Sequence, residues 1–189
     1  GDQPAFLPGH YGFDEYYGLP YSNDMGRQAP RLSPRYSPIG LEYNPLPLIE
    51  GDRVIQEQPD LTTLTERYTE RATAFIRRHQ DQPFFLYLAH MYVHLPHYAP
   101  EAYLRRSENG GFGACLELLD WSTAAIRHEL ERLGLLENTL IVFTSDNGSL
   151  AAHGASNGAL RGRKSQTWEG GQRVPCIWFW KGMLRGGRD

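Results

Sequence analysis

The spacing of apolar residues along the chain predicts helices and strands in alternating order. Between residues 64 and 80 the apolar side chains follow helical periodicity, and Thr63 with Glu66 forms a capping-box pattern at the start, so an amphipathic helix is predicted there. A continuous apolar run at residues 83–89 predicts a strand buried on both faces of a sheet. A second helix is predicted at residues 113–133.

Two further strands are predicted after the second helix. Gly134 is the expected C-cap of that helix, and the apolar, β-branched run at residues 139–144 follows it. Residues 174–180 predict the next strand. A strand, a helix and a strand in this order form a βαβ unit with parallel strands and a right-handed crossover. The predicted fold class is therefore α/β, with a central, mostly parallel sheet flanked by helices.

The first third of the chain has a different pattern. Residues 1–60 are dense in Pro, Tyr and Gly and show little periodicity, so long surface loops are predicted, with one short helical turn at residues 14–17. We divide the chain into this loop-rich segment and an α/β core segment at residues 61–189, both belonging to one incomplete domain.

Polar side chains follow two of the predicted strands directly. Asp146 and Asn147 come after the run 139–144, and His94 follows the run 83–89. A carboxylate and a neutral amide oxygen are ligands that calcium or magnesium accepts, although Ser-Asp-Asn-Gly is also common turn chemistry. Because ligands collect beyond the carboxyl ends of parallel strands, we expect both positions to face one crevice.

A basic cluster at residues 160–175 follows the acidic exit of the predicted strand. Lys164 and three arginines surround the pair Gly170-Gly171, an arrangement that suits an anion and a close approach of backbone. Arg161 either steers an anion or pairs with Glu169 as loop scaffolding. Arg173 is expected to be structural. Trp168 is expected to pack in the core, although, like two tyrosines, it could instead stack on a substrate ring; those tyrosines are Tyr92 and Tyr98.

These motifs together resemble the sulfatase family of the alkaline-phosphatase superfamily, and arylsulfatases in particular. The matching segments are Thr-Ser-Asp-Asn-Gly at 144–148, Lys164 before Glu-Gly-Gly-x-Arg-x-Pro, Tyr-Gly-Phe-Asp at 11–14, Pro-Tyr-Ser-Asn-Asp at 20–24 and His-Leu-Pro-His at 94–97. The resemblance covers residues 11–24 and 83–175 and is weak at residues 28–60. It implies an alkaline-phosphatase-like layered fold and a sulfuric ester hydrolase that cleaves sulfate monoesters.

The resemblance also implies roles for individual residues. Asp146 and Asn147 would bind one calcium ion, and Lys164 would contact the sulfate group as a catalytic and substrate-binding residue. His94 would have the same two roles by donating a proton to the leaving oxygen. Ser22 would bind the sulfate group. Two other histidines are rivals of His94, namely His90 and His97.

The chain lacks the family's nucleophile motif, Cys-x-Pro-x-Arg or Ser-x-Pro-x-Arg, whose first residue becomes formylglycine. Neither Cys115 nor Cys176 has a proline two positions later, and Ser33-Pro-Arg has the wrong spacing. The early Asp-Asp pair of the metal site is absent too. We therefore expect an interior fragment, inactive alone, with the formylglycine and half of the calcium shell in a missing N-terminal part. Both cysteines are predicted to be buried structural thiols, and the sequon starting at Asn147 is attributed to chance.

Composition narrows the expected partners. The chain has 189 residues, a net charge of −3, 40% hydrophobic residues and 22% charged residues, which is ordinary for a globular domain. No overall attraction to nucleic acid or to an anionic membrane is expected, and no apolar run is long enough to span a membrane. The expected partner is a sulfated small molecule or a sulfated glycan, and the family resemblance implies a periplasmic, secreted or lysosomal location.

Three other functions fit the same residues. A phosphomonoesterase or phosphodiesterase of the same superfamily would bind a similar tetrahedral anion through the same cations. A non-catalytic relative could bind sulfated glycans. The segment could also have no function alone and serve only as part of a larger fold.

Overall fold

The computed structural model describes residues 2–27, 43–150 and 154–187 of the chain. The Ser33-Pro-Arg run considered above lies outside these residues. The chain divides into two compact units, which are Gly1–Ala72 with Leu86–Ser122, and Thr73–Phe85 with Thr123–Asp189.

The first unit contains a three-stranded antiparallel sheet that the sequence pattern did not predict. Its strands, in spatial order, are β1 (Tyr17–Gly18), β2 (Pro47–Glu50) and β3 (Arg53–Glu57). Gly51 has a φ of 59° and allows the tight turn between β2 and β3. The predicted helical turn at residues 14–17 is wrong, because the chain is already extending there towards β1.

The helix predicted from residue 64 is present as α1 (Leu64–Arg78), but its start is organised differently. A short 3-10 turn precedes it, and the Asp60 side chain accepts the Thr62 N–H at 3.0 Å. The Thr63 hydroxyl donates to the Asp60 carbonyl at 2.8 Å. Asp60 therefore caps this end, in place of the predicted capping box at Thr63.

The second predicted helix is present as α3 (Gly110–Arg132), and a short helix, α2 (Glu101–Arg106), precedes it. Gly134 has a φ of 72°, and the Leu135 N–H donates to the Leu130 carbonyl at 2.8 Å, so the predicted glycine C-cap is confirmed.

The core of the first unit combines strand β2, helix α1 and the start of α3. Ten buried residues form it: Leu46, Leu48, Leu61, Leu64, Tyr68, Tyr92, Tyr98, Ala99, Ala114 and Cys115. The apolar positions of α1 therefore bury the face that the helical spacing predicted.

The second unit contains the strands predicted around residues 139–144 and 174–180. They are β4 (Ile141–Thr144) and β5 (Cys176–Phe179), and they pair antiparallel with Thr144 opposite Cys176. A four-residue helix, α4 (Glu169–Gln172), leads into β5. The chain contains both helices and strands, in the order β1, β2, β3, α1, α2, α3, β4, α4 and β5, and every ladder in the described residues is antiparallel.

The strand predicted at residues 83–89 is wrong for the described structure. The segment is extended, but none of the described residues forms a ladder with it, and a strand requires that pairing. Its side chains alternate in exposure, with Phe85 at 73% and Tyr87 at 70%, so it is not buried on both faces. The predicted parallel βαβ unit therefore lacks its first strand here.

The two cysteines differ in environment. Cys115 is buried and donates to the Tyr98 carbonyl at 3.5 Å, whereas Cys176 is exposed at the start of β5. The predicted burial of Cys176 is wrong, because β5 leaves it on an exposed face, where its sulfur accepts the Trp178 indole N–H at 3.2 Å. Within the described ranges, no helix is both long and apolar enough to cross a membrane.

A charged contact joins α1 and α3 within the second unit. Glu129 is buried, and it accepts hydrogen bonds from Arg132 and from Arg77, whose Nε lies 2.7 Å away. Hydrogen bonds from Arg132 first, and then from Arg77, lower the pKa of Glu129 to about 2. Because the carboxylate is the favoured form in the folded state, this contact depends on pH.

We expect Glu129→Gln to destabilise the full-length protein most at neutral pH. The folded pKa is about 2 and the ordinary value is 4.5, so the stabilisation is present above pH 4.5 and is lost as the pH falls towards 2. Thermal midpoints of wild type and variant should converge as the pH is lowered. Glu131→Gln is the matched control, because Glu131 makes only an exposed pair with Arg127 at 3.7 Å. A wild-type advantage over Glu129→Gln that is constant with pH would contradict this account.

Candidate functional site

Two oxygen-bearing side chains in the turn that follows strand β4, hereafter the strand exit, make no hydrogen bond or ion pair within the described residues. Ser145 closes the turn, since its hydroxyl donates to the Asn147 carbonyl at 3.0 Å. Asp146 is exposed and Asn147 is half-buried, and neither side chain has a hydrogen bond or ion pair within the described part of the chain. The turn is thus maintained without these two side chains, whose oxygen atoms remain available to a ligand.

The backbone after Asn147 packs directly against the Gly170-Gly171 pair. The Gly148 N–H donates to the Gly171 carbonyl at 3.0 Å. A Cβ atom on Gly148 would lie 1.8 Å from the Gly170 carbonyl oxygen, and a Cβ atom on Gly170 would lie 2.3 Å from the Gly162 carbonyl oxygen. The predicted role of the glycine pair in a close backbone approach is therefore confirmed.

The basic cluster at residues 160–175, hereafter the basic loop, is joined by a hydrogen bond to the same strand exit. The Lys164 N–H donates to the Ser149 carbonyl at 3.2 Å, two residues after Asn147. The Lys164 side chain is half-buried, and its ammonium group forms no ion pair with any residue that the structure describes. The second unit therefore brings together the two sequence motifs that carry Asp146, Asn147 and Lys164.

Sequence reasoning missed Asn157, which connects these two motifs. Its side-chain amide contacts both the N–H and the carbonyl of Ser149, at 2.8 and 3.0 Å, and the Gly162 carbonyl at 3.1 Å. An asparagine before a glycine is typical of a turn, so these contacts could not be predicted from the residue types alone.

The aromatic and charged residues of the basic loop differ from two predictions. Arg161 lies over the Trp168 ring, with its Cζ 3.6 Å from the ring centroid, and Trp168 is 48% exposed, so the predicted core packing of Trp168 is wrong. Arg173, in place of Arg161, pairs with Glu169 at 3.3 Å across one turn of α4.

Two tyrosines that could have stacked on a substrate ring are buried in the core of the first unit. Tyr92 is 5% exposed and donates to the Leu61 carbonyl at 2.8 Å, and Tyr98 is 3% exposed. The possibility of ring stacking by these two side chains is therefore wrong.

His94 lies on a loop of the first unit and is half-buried. Its Nδ1 is 2.6 Å from the Leu95 carbonyl oxygen, and because a carbonyl can only accept, Nδ1 carries a proton. Any additional proton on the ring would therefore be carried by Nε2. The rival His97 donates from Nε2 to the Val93 carbonyl at 3.2 Å, and burial lowers its pKa.

The other rival, His90, belongs to a buried chain of hydrogen bonds. The Thr69 hydroxyl donates to the Thr65 carbonyl at 2.7 Å, so the Ser122 hydroxyl donates to Thr69 at 2.6 Å and His90 Nε2 donates to Ser122 at 3.2 Å. Burial lowers the pKa of His90 to about 4, which keeps the ring neutral. His90 is therefore committed to packing within the first unit.

Ser22 and the His94 loop are linked through one buried side chain. Asn23 is fully buried and donates from its amide to the Pro96 carbonyl at 3.0 Å. The Ser22 hydroxyl donates to the Asp24 carboxylate. The predicted site residues thus form two groups, with Ser22 and His94 in the first unit and Asp146, Asn147 and Lys164 in the second.

The donors at the β4 exit fit part of a calcium shell. Calcium binds roughly six to eight oxygen atoms, and Asp146 with Asn147 offers a carboxylate and one amide oxygen. Among the described residues, no group of three or more His, Cys, Asp or Glu side chains could hold a metal ion. The chemistry of the two donors fits a hard cation, but these two side chains alone do not make up a calcium shell.

Comparison with known proteins finds similar sequences over most of the chain. A family model described as Sulfatase matches residues 3–188. Arylsulfatase A of Homo sapiens is 37% identical over 197 residues, which cover 99% of this chain and 39% of that protein. Steryl-sulfatase of Rattus norvegicus is 40% identical over 148 residues, covering 74% of this chain and 26% of that protein. The chain therefore spans less than half the length of these relatives.

Solved structures give the same result for the fold. The structure of Ps i-CgsB in complex with k-i-k-neocarrahexaose superposes with a TM-score of 0.77 at 27% identity, over 96% of this chain and 43% of that one. The PsFucS1 sulfatase from Pseudoalteromonas sp. gives a TM-score of 0.75 at 30% identity, over 94% and 40% of the two chains. The α/β class and the alkaline-phosphatase-like fold are thereby confirmed.

We expect Gly148→Ala to disrupt the junction between the strand exit and the basic loop. The added methyl group would overlap the Gly170 carbonyl, where backbone cannot move aside as a flexible side chain could. A cost of at least about 2 kcal/mol in unfolding free energy is expected from such overpacking. Gly186→Ala is the matched control, because a Cβ atom there meets nothing within 4 Å. Equal thermal midpoints for the two variants of the full-length protein would show that the close approach is not required.

Proposed function

Because the chain belongs to the sulfatase family, we propose that the protein containing it is a sulfuric ester hydrolase that cleaves sulfate monoesters with the help of formylglycine and calcium. In this proposal the nucleophile and the remaining calcium ligands are supplied by residues that this sequence does not contain. The observation that carries this proposal is the junction in the second unit, where the Lys164 N–H donates to the carbonyl of Ser149, two residues after Asn147.

Asp146 and Asn147 would hold the cation. Both side chains project from a turn that Ser145 closes, so binding an ion breaks no hydrogen bond within the described residues. Calcium in this position would supply positive charge to the sulfate group and to the formylglycine beside it. The carboxylate of Asp146 would offset part of that charge and would favour a hard cation over a soft one.

Lys164 would bind the sulfate group. Its backbone is fixed by the Ser149 carbonyl, and its ammonium group has no internal carboxylate partner among the described residues, so an anion meets no competitor. A half-buried ammonium group also interacts with an anion more strongly than a fully solvated one. These features favour electrostatic binding of a tetrahedral anion by Lys164.

His94 would deliver a proton to the leaving oxygen. Since Nδ1–H is directed to the Leu95 carbonyl, the transferred proton has to be carried by Nε2 of the charged imidazole. His90 and His97 are less suited, because burial lowers the pKa of each ring and so disfavours the charged imidazole that a proton donor requires.

Ser22 would add a further contact to the sulfate group. Its hydroxyl donates to Asp24 in this structure, so it must rotate away from that carboxylate before it can donate to a sulfate oxygen. The substrate would be a sulfated small molecule or a sulfated glycan, met in a periplasmic, secreted or lysosomal compartment. The oligosaccharide bound to Ps i-CgsB supports including glycans in this class.

We expect Asp146→Asn and Lys164→Ala to lose activity for different reasons. Each should lower kcat/KM of the full-length enzyme for p-nitrophenyl sulfate by roughly 100-fold or more. Only Asp146→Asn should also weaken calcium binding measured by calorimetry. Lys164→Ala should instead raise the inhibition constant of inorganic sulfate.

The matched controls are Asp81→Asn and Lys181→Ala. Asp81 is exposed in the same unit, and Lys181 makes only a surface contact with Glu137 at 3.4 Å. Activity of the site variants equal to that of these controls would contradict the proposed roles. A wild-type enzyme that prefers p-nitrophenyl phosphate would be a phosphoesterase, and one that binds sulfated glycans without turnover would be a non-catalytic relative.

We expect the effect of His94→Gln to depend on the leaving group. A proton donor matters most for an alkyl sulfate, whose alkoxide is a poor leaving group, so kcat should fall roughly 100-fold or more for that substrate and about fivefold or less for p-nitrophenyl sulfate. His128→Gln, an exposed position on α3, is the control. The assignment fails if His94→Gln lowers both rates equally, or if His97→Gln alone gives the leaving-group effect.

A further inference from the structure

The amide group of Asn157 is wholly committed to backbone contacts. Its oxygen accepts the Ser149 N–H at 2.8 Å, and its nitrogen donates to the Ser149 carbonyl at 3.0 Å and to the Gly162 carbonyl at 3.1 Å. The side chain thus pairs with Ser149 through one donor and one acceptor, as a neighbouring strand would. Both amide protons and the amide oxygen are used, so the group has little capacity left for a ligand.

One of these contacts is shared with the basic loop. The Ser149 carbonyl accepts both the Asn157 amide and the Lys164 N–H, at 3.0 and 3.2 Å. Ser149 is also only two residues from Asn147. Any shift of this carbonyl would therefore move the strand exit and the backbone of Lys164 relative to each other.

The other contact fixes the turn that precedes Lys164. Gly162 has a φ of 91°, a conformation suited to glycine, and its carbonyl oxygen closely approaches Gly170. By holding this carbonyl, Asn157 limits the ways in which the turn can relax. The same side chain therefore supports both ends of the junction.

We infer that Asn157 is a positioning residue that sets the spacing between the Asp146-Asn147 oxygen pair and Lys164. It touches neither the cation nor the anion. Its consequence for catalysis rests on the proposed sulfatase function, whereas its effect on the backbone of Lys164 can be measured without any substrate.

Two substitutions distinguish the effect of losing the Asn157 hydrogen bonds from the effect of a smaller side chain. Asn157→Asp keeps the shape and the acceptor for the Ser149 N–H, but it replaces both donated hydrogen bonds with an oxygen that faces two carbonyls. Asn157→Ala removes all three contacts. Asn138→Ala is the control, because Asn138 is exposed in the same unit and its side chain has no hydrogen bond within the described residues.

The experiment compares these variants in the full-length protein by hydrogen exchange and by ligand titration. Exchange of the Lys164 amide should become roughly tenfold faster in both Asn157 variants, because each loses the donor that holds the Ser149 carbonyl. Exchange of the Ser149 amide should become faster in Asn157→Ala, which also loses the acceptor for that N–H. The dissociation constants of calcium and of inorganic sulfate should each rise by about tenfold or more. Loss of affinity of this size is typical when a residue that orients metal ligands is mutated. The control should match wild type in both measurements.

Three outcomes decide the inference. It is overturned if both Asn157 variants retain wild-type exchange at Lys164 and wild-type sulfate affinity. It is also overturned if exchange rises uniformly across the second unit while the two dissociation constants stay unchanged, because that result describes general destabilisation. If wild type hydrolyses no sulfate ester but the variants still show faster Lys164 exchange and weaker sulfate binding, the proposed function fails and the positioning role stands.

Discussion

The close approach of three backbone segments is the constraint on which the candidate site depends. Gly148, Gly162 and Gly170 meet where no Cβ atom fits, and the Gly148 N–H to Gly171 carbonyl bond joins the strand exit to α4. Because backbone atoms meet directly, a flexible side chain cannot absorb a change in spacing. This backbone contact determines where the main chain of Asp146, Asn147 and Lys164 lies. The relative positions of the three side chains therefore depend on it.

The two units use their polar side chains in different ways. In the first unit the buried hydroxyls of Thr69 and Ser122 belong to one chain of hydrogen bonds with His90, and burial lowers the pKa of that histidine. These polar groups therefore serve packing. In the second unit Asp146 and Lys164 have no partner among the described residues, although they carry opposite charges. Charged groups without internal partners, located on a rigid junction, are typical of a binding site, where a ligand completes the electrostatics.

The sequence predicted what local periodicity and short motifs determine. Helices α1 and α3 have strong apolar spacing, and the Gly134 cap and the Gly170-Gly171 approach follow from glycine itself. The segment 83–89 was predicted as a buried strand because its composition is that of one, but pairing depends on a partner that composition cannot specify.

The hairpin of β2 and β3 was missed because proline and glycine around it obscured the alternation of apolar and polar residues. Asn157 was missed because its partners lie at Ser149 and Gly162. Exposure of Cys176 and Trp168 likewise depends on the arrangement of neighbours and not on residue type.

The proposed function requires the strand exit and the loop that carries Lys164 to form one site for a hard cation and a sulfate anion. A crystal structure of the full-length protein with calcium and a non-hydrolysable sulfamate analogue of a substrate would reveal whether they do. We expect a calcium ion about 2.3 to 2.6 Å from oxygen atoms of both Asp146 and Asn147, with the Lys164 ammonium group hydrogen-bonded to the sulfuryl oxygens. A calcium ion bound elsewhere, or a sulfamate group bound without Lys164, would contradict the proposed function.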